Sequence, residues 1–175
     1  MVIAKTLIKN RALMGGSPKE ILEFVNNQLC ENNKAAMFVT VWLGIMEIST
    51  GKVVAANAGH EYPAIRTAQG DFELMKDKHG FVLAGMEDMI YTDYEFTLEK
   101  GGCLYLYTDG VAEASNIHEE LFTMDRMIVA LNKDSKASLD VLLRNVKKDI
   151  DEFVGEAPQF DDITMLAVVY YGRDE

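Results

Sequence analysis

Cys103-Leu104-Tyr105-Leu106-Tyr107-Thr108-Asp109-Gly110 is a compact apolar run that ends abruptly in polar residues. Successive apolar side chains with no alternation suit a strand buried on both faces. The Thr-Asp-Gly that follows puts a carboxylate at the mouth of a rigid strand, where a side chain can be held in fixed geometry. A second junction mirrors the first: Asp161-Asp162 stands directly before Ile163 to Tyr170, a run that reads as the closing buried strand. The junctions are far apart in sequence, so any meeting between them is tertiary. Adjacent carboxylates at a strand mouth repel one another and are costly to bury unless a cation or an arginine neutralises them. Hard carboxylate oxygens with no clustered His or Cys suit Mg²⁺ or Mn²⁺, not zinc. Taken singly, an Asp-Gly pair is more often a turn and an Asp-Asp pair a solvated loop.

Working outward, the segment before Cys103 is rich in strands. Phe38 to Ile48 is dense in β-branched and aromatic residues and predicts a long strand with a bulge at Gly44. Ser49 to Lys52 predicts a turn, and Val53 to Asn57 a hairpin partner. Ala64 to Thr67 and Phe72 to Met75 predict short strands, and Tyr94, Phe96 and Leu98 alternate as a half-buried strand does. Helices flank this region. Val2 to Met14 has an apolar face and stops at Gly15-Gly16, but no capping residue precedes it, so the helix is already under way at Met1. Ser17-Pro18-Lys19-Glu20 has the pattern of a capping box with proline at the first helical position. Helices are also predicted over Met124 to Leu131 and from Leu139 to Phe153, where apolar residues recur at helical spacing up to Gly155. Strands in the middle with helices at both ends give an α+β fold, a sheet covered by helices.

The 175 residues suit a single domain over 1–175 with a sizeable core. A net charge of −11 disfavours nucleic acid as a partner, because a phosphate backbone would be repelled over most of the surface. Cys30 and Cys103 form no disulfide framework and favour a reducing, cytoplasmic setting. No apolar run is long enough to span a bilayer, so no membrane contact is expected of this segment.

Asn57-Ala58-Gly59-His60, then Leu104 to Ala114 around Asp109-Gly110, then Gln159-Phe160-Asp161-Asp162-Ile163-Thr164 occur in this order. Together they resemble the metal-dependent PPM-type (protein phosphatase 2C-like) phosphatases, in the bacterial branch of the stage II sporulation phosphatase and the sigma-B regulators. The resemblance runs over nearly the whole chain. It implies a four-layer αββα sandwich and hydrolysis of phosphoserine or phosphothreonine on a protein, typically a STAS-type anti-anti-sigma factor in partner-switching regulation. Carried over residue by residue, it makes Asp109 and Asp161 metal ligands and catalytic residues, with Asp162 a further acidic residue at the metals. It makes Gly110 the point of close backbone approach, and Asn57 and Gly59 structural residues at a turn. His60 is a candidate contact to phosphate or to an extra metal, set against a purely structural hydrogen bond. Two ions, Mn²⁺ or Mg²⁺, would activate one shared water for in-line attack.

One departure is serious. The family begins with two further strands and an Asp-Gly motif whose carboxylate bridges both metals, and nothing matching it precedes the helix at Met1. The resemblance therefore implies a domain truncated at its N-terminus and lacking its first strands. Such a fragment would hold at most one ion, weakly, and would itself be inactive or nearly so, while an upstream sensor domain would belong to the parent chain. The first two helices resemble the family's regulatory element, and apolar faces left by missing strands could drive a homodimer. Two alternatives stand beside this reading. One is a haloacid dehalogenase-like aspartyl-phosphate hydrolase, which needs a nucleophilic Asp two residues before Asp109, where Tyr107 stands. The other is a non-catalytic pseudophosphatase that docks a sigma-regulatory partner. His79 and His118 read as solvated loop residues.

Overall fold

The computed structural model describes residues 2–31, 33–159 and 161–172, so Met1, where the first helix was expected to be already under way, and Phe160 of the closing motif lie outside the described residues. The chain divides into two compact units, Met1–His60 with Asp77–Thr97, and Glu61–Lys76 with Leu98–Glu175.

The first unit contains α1 (Val2–Leu13), α2 (Pro18–Cys30), β1 (Val41–Met46), β2 (Lys52–Ala58) and β5 (Tyr94–Thr97). Its antiparallel sheet has the order β1-β2-β5. The Ser17 amide donates to Glu20 Oε2 at 2.9 Å, as the spacing of the capping box predicts. Ile21, Leu22 and Val25 of α2 are fully buried against Ala56 and Ala58 of β2, Leu83 and Tyr91. β1 is shorter than its composition predicts. Glu47 already belongs to the hairpin turn, where its carbonyl accepts the Gly51 amide at 2.8 Å, and this leaves Ile48 outside the ladder. Nor does Gly44 form a bulge: it pairs in unbroken register with Ala55. A Cβ at Gly44 would meet the Trp42 indole at 2.4 Å, so glycine is there to let the ring lie across the strand.

The second unit contains β3 (Ala64–Arg66), β4 (Phe72–Leu74), β6 (Cys103–Tyr107), α3 (Asp109–Ala112), α4 (Thr123–Asn132), α5 (Leu139–Val154) and β7 (Met165–Val169). The strands form an antiparallel sheet in the order β4-β3-β6-β7. β6 occupies an interior position, which explains its uninterrupted apolar sequence. Leu142, Val146 and Ile150 face the core at helical spacing, each burial contributing about 1.5–3 kcal/mol. Asn132, at the end of α4, clamps the outer strand: its Oδ1 accepts the Phe72 amide at 2.7 Å and its Nδ2 donates to the Phe72 carbonyl at 3.0 Å. No helix among the described residues is long and apolar enough to cross a membrane.

Candidate functional site

The last pair of the β6–β7 ladder is Tyr107 opposite Met165. One residue further on, the Thr108 amide still donates to the Thr164 carbonyl at 3.0 Å. The Thr108 hydroxyl then does two jobs, donating to the Asp162 carbonyl and accepting the Thr164 amide, both at 3.0 Å. Extended backbone at Thr108 turns directly into α3, so Asp109 is the first residue of a one-turn helix where the sequence suggested a plain turn. Thr108 is thus a positioning residue at this junction, one to which the sequence alone assigned no role. Thr before Asp-Gly signals the start of the helix, but the hydroxyl caps nothing and is spent on the 162–164 backbone, which no local pattern announces.

Gly110 closes the junction. A Cβ there would sit 2.6 Å from the Asp162 carbonyl oxygen and 3.5 Å from the Asp161 carbonyl carbon, so only glycine admits the 161–162 backbone at this distance. The two remote acidic segments therefore meet. Asp109 Oδ1 accepts the Gly110 amide at 2.9 Å, and Asp161 Oδ1 accepts the Asp162 amide at 2.6 Å. Gln159 Nε2 donates to the Asp161 carbonyl at 2.7 Å and steadies the approach. Asp109, Asp161 and Asp162 are all exposed, so lone pairs not spent on the backbone face solvent. As a donor set these are hard oxygens, and magnesium-type sites commonly use one or two carboxylates with water and substrate oxygens completing the shell. The residues fit a single hard cation. Among the described residues no group of three or more His, Cys, Asp and Glu side chains is gathered to hold a metal.

Asn57, Gly59 and His60 lie in the other unit, where β2 ends. Asn57 clasps the turn: its Oδ1 accepts the His60 amide at 2.8 Å and its Nδ2 donates to the His60 carbonyl at 3.0 Å. Gly59 takes a left-handed φ of +71° between them. The His60 ring pairs through Nδ1 with the Thr40 hydroxyl at 3.3 Å. Behind the turn Asp77 is nearly inaccessible, its side chain 1% exposed. Its carboxylate receives Asn57 Nδ2 at 3.2 Å and faces His79 Nε2 at 3.1 Å. His79 is an exposed loop residue, as expected, but its ring also faces this buried carboxylate, which would be costly to leave unpaired. Burial and, after it, the hydrogen bond to Asp77 push the Tyr94 hydroxyl far above the ordinary tyrosine range, while Trp42 Nε1 donates to it at 2.6 Å. His118 is exposed, as expected.

The sequence is similar to Protein IcfG of Synechocystis, 31% identical over 160 residues that cover 87% of this chain and 25% of that protein. It is also similar to Phosphoserine phosphatase RsbU of Bacillus subtilis, 31% identical over 102 residues that cover 57% of this chain and 30% of that protein. The chain thus spans about a quarter to a third of the length of these curated relatives. Among solved structures, the SiaA-PP2C domain of Pseudomonas aeruginosa shares the fold with a TM-score of 0.82 at 21% identity, over 97% of this chain and 68% of that one. The expected α+β, PPM phosphatase-like fold is therefore the one observed. Residues 1–170 match the family of Stage II sporulation protein E. On these grounds the chain belongs to the Stage II sporulation protein E (SpoIIE) family, in the PPM-type phosphatase branch that includes RsbU.

Proposed function

We propose that the protein to which this chain belongs removes phosphate from phosphoserine or phosphothreonine on a protein, with Mg²⁺ or Mn²⁺ held by Asp109 and Asp161. The observation that carries this reading is the wedge at Gly110, which brings the Asp109 and Asp161-Asp162 segments to one point. When bound, a divalent ion lowers the pKa of a water and neutralises charge on the phosphoryl oxygens. The chain's own part is positional. Asp109 and Asp161 each anchor one carboxylate oxygen on the next backbone amide, which fixes the carboxylate before any ligand arrives. Thr108 sets the spacing between the two segments through its hydroxyl. Asp162 is assigned as a further acidic residue beside these two ligands, its carbonyl held by the Thr108 hydroxyl. Asn57 and Gly59 are assigned to shaping the turn at His60, whose contact with Thr40 favours a structural role over phosphate binding.

The substrate we propose is a phosphorylated STAS-type anti-anti-sigma protein in cytoplasmic partner switching, a reading supported by the similarity to RsbU. No group of three metal-binding side chains gathers among the described residues, which supports a second reading for these 175 residues alone: weak binding of one ion, slow turnover, and behaviour close to a docking module. Phosphate release from a phosphorylated STAS protein in Mn²⁺ tests both. The full-length protein should release phosphate, and Asp109→Asn should lower its rate about 10²-fold or more, as loss of a metal ligand does. An unaltered rate in that variant would remove Asp109 from the chemistry. Fast turnover by the 175 residues alone would remove the second reading.

A further inference from the structure

Beside the carboxylate junction a cavity of about 300 Å³ lies between α3, the end of α5 and the segment leading to Asp161. Gly110 and Asp161 belong to its wall, so it adjoins the proposed phosphate site directly. Its wall is mixed, with Ile150, Val154 and Ile163 among the apolar residues and Glu113, Asp151 and Asp161 as the acidic ones, all three of them exposed. None of the described residues lining it is a lysine or arginine. Asp151 is paired with Lys147 one helical turn earlier, both exposed, and Asp161 is shared with the proposed cation, so Glu113 supplies the unshared negative charge at the cavity.

Such a lining is poorly suited to a phosphate and to a purely apolar side chain alike, since the first would be repelled and the second would desolvate carboxylates without return. It is matched by a side chain with an aliphatic stem and a cationic tip. We propose that this cavity is a specificity pocket for a lysine or arginine side chain of the phosphoprotein, close in sequence to the phosphorylated residue. The proposal rests on the phosphatase reading above for the location of the phosphate. It also resolves a difficulty of that reading: a chain of net charge −11 offers a phosphoprotein an acidic approach, and a basic neighbour of the phosphoserine turns this into attraction.

The test is binding of fluorescent phosphoserine peptides to the full chain, read by anisotropy with Mn²⁺ present. A single lysine is moved through the positions flanking the phosphoserine, and each peptide is compared with its norleucine counterpart, which keeps the stem and removes the charge. At one or two positions lysine should bind about fivefold more tightly, the scale of a solvent-rimmed ion pair. Glu113→Gln with Asp151→Asn should erase that preference, and Glu113→Lys should reverse it toward glutamate peptides. Equal binding of lysine and norleucine peptides at every position overturns the proposal. So does a lysine preference that survives the paired neutral variants. Equal affinity for phosphorylated and dephosphorylated lysine peptides keeps the pocket and sinks the phosphatase reading instead.

Discussion

Two turns at strand ends carry the polar chemistry of this chain, and they spend it differently. At the end of β2, Asn57 gives its amide oxygen and nitrogen to the His60 backbone and to Asp77, and Asp77 is in turn enclosed by His79 and Tyr94. At the end of β6, Asp109 and Asp161 each engage the next amide and otherwise face solvent. The first turn is a closed polar network built inward; the second is held by backbone and a threonine, with its carboxylates directed outward. A buried network stabilises only when its members are satisfied, so the first turn can give little to a ligand without losing stability. The exposed junction can exchange water for a cation at small structural cost.

The largest effect expected is on both units at once. Burial holds the hydroxyls of Tyr94 in one unit and of Tyr105 and Tyr107 in the other above the ordinary tyrosine range, and burial of Tyr91 raises its value to about 12. A tyrosine is neutral when protonated, so its raised folded-state pKa favours folding fully below pH 10, the unfolded value, and this contribution is lost as pH climbs through about 12. Circular dichroism and tyrosinate absorbance should therefore change together above pH 10 for these buried rings. Titration of all seven tyrosines near pH 10 with the fold intact would contradict it.

Next in size, Asp77→Ala should destabilise the chain by about 3 kcal/mol in urea unfolding, since it removes the acceptor shared by Asn57, His79 and Tyr94. A loss below about 0.5 kcal/mol, the usual range for surface substitutions, would show that the network is not a unit. Gly110→Val should cost about 1–3 kcal/mol through overpacking against the Asp162 carbonyl. The same variant should weaken Mn²⁺ binding in calorimetry, and unchanged affinity would mean that the wedge does not organise the carboxylates. The smallest stability change belongs to Asp109→Asn, within about 0.5 kcal/mol, although this substitution should have the largest effect on Mn²⁺ affinity. A large stability loss there would make Asp109 a structural residue like Asp77 and erase the contrast between the turns.

Much of this was legible in the residues. Cys103–Tyr107 appears as β6 with the bounds its composition predicts, and Ser17-Pro18 and Gly155 mark helix ends where their conformational preferences place them. The carboxylates at 109 and 161 stood out because each abuts an apolar strand. Less was legible where composition and geometry part company. Ile48 looks like strand but falls in the turn that Glu47 closes, and His79 is the loop residue it looks like, yet nothing local shows that it faces a carboxylate its neighbours bury.

The sequence by itself determined which segments become strands and helices, because periodicity and caps act over a few residues and need no partner from elsewhere. It also marked the acidic junctions as candidates. Only the tertiary structure decided that the Asp162 carbonyl fills the space a Cβ at Gly110 would need, that Thr108 ties the two segments together, and that Asp77 is sealed while Asp109 stays open. Those outcomes depend on which distant backbone arrives beside a residue, and hydrogen bonding and burial are properties of that encounter, not of the residue alone.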